Sequence, residues 1–238
     1  TGNGNYSEQT QDGNTFNIAV VYQPGSDNEA YQTQTGAFDM AYIEQYGTGN
    51  LATQVQTSNT NNLAIIYQPG EDNEAIQTQS GEYNLVVIQQ VGTEGYASQI
   101  QADGVSNVAH ILQDGNSNKS YQTQTGGFDN FVIVDVAGSG NLTDQLQLDG
   151  AENDAYMFVR GSGNEAFQEQ YTGVGNLADL DQRGSGNYSM QVQRGDLNES
   201  FVMQRGDDHS ATVNQTGNGN FSSIMQRNCT NEGGGGHQ

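Results

Sequence analysis

The chain has 238 residues and a formal net charge of −22, with 33% hydrophobic residues, no Trp and 32 Gly. That composition excludes an ordinary Leu/Ile/Phe core, so the chain is either disordered or folded by another device. All six basic residues (Lys119, Arg160, Arg183, Arg194, Arg205, Arg227) lie beyond residue 118, after thirteen acids, and such a chain repels the phosphates of nucleic acid.

The single cysteine, Cys229, allows no disulfide within the chain, and no CxxC or Cys/His spacing points to a metal. No apolar run approaches the ~18 residues of a membrane span. No signal peptide is evident, which suits a processed secreted chain as well as a cytosolic one.

Residues 1–7 read TGNGNYS, and residues 216–222 read TGNGNFS. Between them one frame can be laid twenty times, from residues 5, 17, 28, 39, 50, 62, 73, 84, 95, 107, 118, 129, 141, 153, 164, 176, 187, 198, 209 and 220. The spacings are all 11 or 12, and self-similarity of this kind fixes the architecture before any motif does. Taking the first residue of a unit as zero, position zero is Asn in sixteen units, the exceptions being Asp39, Gly95, Asp129 and His209. Position +2 is Ala or Ser in seventeen units, and position +6 is Gln in all but two, Asp135 and Val159. Gly closes most units at +8, or at +9 where a unit is one residue longer, as at Gly104 and Gly150.

Position +4 separates odd from even units. Odd units carry Gln there (Gln9, Gln32, Gln54 and onward to Gln191), with Val213 the exception. Even units are always apolar there, from Val21, Ile43 and Ile66 through Ile133 to Ile224. The true repeat is therefore a pair of units, and the stretches YQPGSDNEA at 22 and YQPGEDNEA at 67 show a further duplication of two pairs.

Marked positions 0, +2, +4 and +6 alternate with the period of a strand. Gly with Asn, Asp or Ser then supplies a turn. Each pair of units reads strand, turn, strand, turn, which is one rung of an all-β β-solenoid over residues 1–227, with 228–238 a flexible Gly-rich tail. Ten rungs at ~4.8 Å give a rod on the order of 48 Å long, whose handedness the pattern leaves open. The inward face would hold 43 Asn and Gln side chains in these columns. A buried amide without a partner costs roughly 1–3 kcal/mol, so the fold requires each amide to bond to its twin in the next rung, as in cross-β stacks.

These residues resemble the curlin repeat, Ser-x5-Gln-x-Gly-x-Gly-Asn-x-Ala-x3-Gln. Gly163-Asn164-Glu165-Ala166 followed by Gln170, and Gly49-Asn50-Leu51-Ala52 followed by Gln56, look like its second half. The chain departs from it by using Asn where the first strand's Ser is expected, and by having more rungs. The resemblance implies a secreted subunit that polymerises into extracellular amyloid fibres of a biofilm matrix, for adhesion and cell aggregation. It also implies secretion and nucleation accessory proteins as partners.

Unit 20 is even and unit 1 is odd, so a second copy of the chain can follow the first without breaking the alternation. Head-to-tail growth would stack Asn5, Gln9, Gln11, Asn17 and Gln23 on His209, Gln215, Asn220 and Gln226. A second contact is expected on the outer face of the even strands. Ile18, Val20, Tyr22, Tyr42, Leu63, Ile65, Tyr67, Leu85 and Val87, continued by Val132 and Val134, form an apolar stripe suited to lateral pairing of filaments. Strand propensity alone could also account for it.

No catalytic residue, cofactor or metal site is expected. His110 is outward, His209 stands for an Asn and His237 lies in the tail, while the turn acids do not follow a calcium-binding nonapeptide. Six of the Asn-x-Ser/Thr sequons, such as Asn141 and Asn187, place Asn inside, where a glycan would block folding. Two alternatives to a fibre subunit stay open on the sequence. A monomeric ice-binding or adhesin solenoid would use outward Thr33, Thr78 and Thr123; a solenoid polysaccharide-active enzyme would need clustered catalytic groups.

Overall fold

The computed structural model describes residues 2–12, 16–57 and 60–228, and every regular element among them is a β-strand. Twenty strands run from β1 (Tyr6–Gln11) and β2 (Ile18–Tyr22) to β19 (Ser210–Thr216) and β20 (Phe221–Arg227), one for each unit. The odd strands form one ten-stranded parallel sheet in chain order, and the even strands form the other. Each rung is thus one odd and one even strand, and the chain winds as a β-solenoid.

The period of two explains the layering. In the strand Leu51–Gln56, Ala52, Gln54 and Gln56 are buried while Leu51, Thr53 and Val55 face outward. Identical positions stack because the sheets are parallel and in register, with Gln32 opposite Gln54 and Gln54 opposite Gln77. Ile43, Ile66, Ile88, Ile111, Met157 and Leu180 fill the even half of the interior. Small residues at +2, such as Ala30, Ala52 and Ala75, are fully buried between them. The apolar core is therefore one residue wide, and amides fill the rest of the interior.

The turns are set by backbone stacking. A Cβ at Gly92 would collide with the carbonyl oxygen of Gly115 in the next rung, so only glycine fits there. Beyond such glycines the chain passes through the left-handed region, where Asp27 (φ 53), Asp72 (φ 52) and Asp208 (φ 57) are tolerated. Asp has a short side chain that bonds locally and makes this conformation less costly than it is for most residues.

The register corrects one unit. Unit 12 starts at Asn130, not at Asp129: Asn130 is buried and its N–H donates to Asn107 Oδ1 at 3.0 Å. Asp129 belongs to the preceding turn, at φ 54. Val132, Val134 and Val136 consequently face the interior, so the first two leave the outer stripe and Ile133 leaves the core. The residue that interrupts the glutamine column here is Val136, not Asp135. The physical reason is the carboxylate of Asp135, which this frame turns outward while three valines are buried in exchange. Cys229 and His237 lie outside the described residues.

Candidate functional site at the two end rungs

The interior columns have a direction. The glutamine ladders run one way, with Nε2 of one rung donating to Oε1 of the next rung toward the C-terminus. The odd +4 column begins Gln9 to Gln32 at 2.7 Å and Gln32 to Gln54 at 2.9 Å, and ends Gln168 to Gln191 at 2.8 Å. The odd +6 column runs from Gln11 to Gln34 at 2.7 Å through to Gln193 and Gln215 at 3.0 Å. In the even sheet Gln23 donates to Gln45 at 2.8 Å, and Gln204 to Gln226 at 2.8 Å.

Between asparagines the bonds run in the opposite sense. The N–H of Asn50 donates back to Asn28 Oδ1 at 2.9 Å, and its Nδ2 donates forward to the carbonyl of Gly70 at 2.8 Å. One asparagine thereby bonds to the rung on either side of it. Gly95 keeps the backbone half of this pattern, donating to Asn73 Oδ1 at 2.8 Å. Asp39 is the weak member: its Oδ1 accepts from Asn62 N and Nδ2, while its fully buried Oδ2 has no partner. Burial pushes that carboxyl above its ordinary value, against the two Asn62 hydrogen bonds that favour the anion.

The structure places Asn5, Gln9, Gln11, Asn17 and Gln23 together on the first rung, because β1 and β2 are the end strands of their sheets. It places His209, Gln215, Asn220 and Gln226 on the last, with β19 and β20 at the opposite ends. Gln215 Nε2 donates to the backbone carbonyls of Glu199 (2.8 Å) and Asn220 (3.1 Å), as interior glutamines do, and lacks only the axial bond to a further rung. Gln226 Nε2 donates to Ser210 O at 2.8 Å. The C-terminal end therefore presents glutamine donors, and the N-terminal end presents the matching glutamine acceptors.

The match differs between sheets. In the even sheet Asn220, Ile224 and Gln226 meet the pattern of Asn17, Val21 and Gln23 at each position. In the odd sheet two columns stop early. Gln191 turns its Nε2 to Ser200 Oγ at 2.9 Å because the next rung offers Val213. The His209 N–H still donates to Asn187 Oδ1 at 3.0 Å, but its side chain has no amide oxygen to offer a further rung, and its Nε2 lies 3.2 Å from Arg205 O. Of the odd columns only Gln215 continues toward a second copy. The sequence named these residues, but the direction of the amides and this difference between the sheets are properties of the stacked neighbours.

The nine stripe residues lie on the outer face of the even sheet in register, for instance Val20 opposite Tyr42, Tyr42 opposite Ile65, and Ile65 opposite Val87. Ile18, Val20 and Tyr22 are exposed. Tyr46, which the repeat pattern does not single out, joins the edge of this face by edge-to-face contacts with Tyr22 and Tyr67. His110 is on the same face, where burial lowers its imidazole from the ordinary value. Thr33 and Thr78 are on the outer face of the odd sheet, on alternate strands. Among the described residues no group of three His, Cys, Asp or Glu side chains could hold a metal, and no helix is long and apolar enough to cross a membrane.

A rod of parallel rungs, held by continuous amide columns, defines a structural β-solenoid of the cross-β kind. The family model described as curlin associated repeat matches residues 192–217 and 201–227, at the C-terminal end of the rod, which supports a curlin repeat assignment. No curated protein matches the chain. The matched repeat and the β-solenoid fold fit a structural protein.

Proposed function

We propose that the protein is a structural subunit that polymerises head to tail into extracellular, curli-like amyloid fibres of a biofilm matrix, serving adhesion and cell aggregation. The supporting observation is the complementarity of the two ends: donors of Gln215 and Gln226 at one, glutamines with the opposite polarity at the other, and an odd–even alternation that a second copy continues. Open parallel edges of this kind bond to another chain unless they are capped. Family members are extracellular and fibre-forming, which supports the same location here. Accessory proteins for secretion and nucleation belong to this reading as expected partners.

The test is incubation of the purified protein, followed by fibre diffraction. Fibres with a ~4.8 Å meridional reflection are expected. A variant whose last strand carries Pro and Lys in place of Ile224 and Gln226 should not elongate; normal elongation by that variant would overturn head-to-tail growth. Lateral pairing through the stripe is the second contact of the same reading. Ile65→Lys should leave fibres that form but remain single, and bundles indistinguishable from the unmodified protein's would remove this contact.

A further inference from the structure

Along the rod, the turn that leaves one rung is also the turn that enters the next. At a seam between two subunits that identity fails, because Asn228 of one chain and the entering turn of the next meet at the same place. The glycines of these turns form a column from Gly2 through Gly25 and Gly47 to Gly184 and Gly206. At each of them up to Gly184, the space that a Cβ would fill is occupied by the carbonyl of the glycine in the next rung.

Gly206 is different. The space above it holds the side chain of Asn228. The Asn228 N–H donates to Arg205 O at 3.1 Å, just as the Gly206 N–H donates to Arg183 O at 2.8 Å. Asn228 thus stands in the glycine place of the last unit, eight residues beyond Asn220 as Gly206 is beyond Asn198. A subunit docked with Asn5 above His209 brings its own Gly2 to the same place, since Gly2 precedes Asn5 by three residues and Gly206 precedes His209 by three. The entering turn is shaped for that seat. Gly2 has no side chain, Gly4 has φ +74, and the carbonyl of Asn3 bonds the next rung at Asp27 N–H, 2.9 Å away.

We propose that Asn228 occludes the seat of the incoming Gly2, so that each addition step displaces Asn228 of one chain by the entering turn of the next. The inference rests on the head-to-tail reading and names what limits its rate. The partner is a second copy of this chain, and the contact is an autoinhibitory one built into the last rung.

Elongation from sonicated seeds of the full chain separates the possibilities. A chain ending at Arg227 removes Asn228, and one beginning at Asn5 removes Gly2, so each takes away one of the two competitors for the seat. Each should elongate about three- to tenfold faster, the factor that goes with releasing one backbone hydrogen bond. A chain with both truncations should gain no more than either alone, because the competition is already gone. Unchanged rates in both single truncations, or gains that multiply in the double, overturn the occlusion while leaving head-to-tail growth standing. Failure of the full chain and all three truncations to form fibres overturns the assembly reading and this inference with it.

Discussion

Val136 lies in register with Val159 on neighbouring even strands, and together they interrupt the glutamine column of that sheet. On one side of the break Gln113 turns its Nε2 to Ser120 Oγ at 2.8 Å. On the other, Gln182 Oε1 is buried without a partner. The rod thus contains a short apolar plug, with Val134, Val136, Met157 and Val159 all fully buried. Valines need no axial partner, so the plug holds by packing where the amides hold by bonding.

Restoring the column should show cooperativity. Val159→Gln gives Gln182 Oε1 a donor but leaves its own Oε1 unmatched, and Val136→Gln adds only the bond from Gln113. The double variant also forms the bond between positions 136 and 159. A double-mutant cycle from equilibrium unfolding should give a favourable coupling of about 1 kcal/mol, and strictly additive effects would refute the ladder account.

Asp39→Asn should stabilise the fold at neutral pH by roughly 1–3 kcal/mol, by replacing the orphaned Oδ2 with a donor. The sign with pH follows from the raised folded pKa. The unfolded carboxyl ionises around its ordinary value of 3.8, while the folded one holds its proton to higher pH. Stability from this group is therefore complete below that value and is lost as pH rises through the folded pKa. The difference between Asp39→Asn and the parent should shrink on acidification; a constant difference from pH 3 to pH 7 would show that Asp39 is not the cause.

Glycines of the two turn types should respond differently to alanine. Gly92→Ala drives a Cβ into the Gly115 carbonyl, so the neighbouring rungs must move apart to admit it. Gly163→Ala meets open space and carries only the cost of a side chain at φ +61, roughly 1–2 kcal/mol. Thermal unfolding should rank Gly92→Ala well below Gly163→Ala. Equal losses would mean that conformation rather than stacking selects these glycines.

Charge should govern the rate of assembly. A net charge of −22 over ten rungs makes stacking subunits repel, and both acid and salt reduce that repulsion. Elongation followed by light scattering should accelerate on lowering the pH from 7 toward 5, and again on adding 0.15 M salt at pH 7. A rate indifferent to both would mean that electrostatic repulsion does not limit docking.

The sequence by itself determined the strands, the pairing of units and the identity of the end rungs. Gln32, Gln54 and Gln77 recur at spacings that only stacked parallel strands can use, and an amide column is stable only in register. Its limit shows at Asp129 and Asn130. A twelve-residue unit can place its extra residue in either of two turns, and the spacing is the same both ways. Packing decided it, since one frame buries the Asp135 carboxylate and the other buries three valines. The direction of the glutamine bonds, the orphaned Gln182 Oε1 and the seat taken by Asn228 were likewise decided only by tertiary structure. Each depends on which atom of a neighbouring rung, about 22 residues away, is presented to the group. A linear pattern names the residues in a column but carries no record of which of their atoms meet.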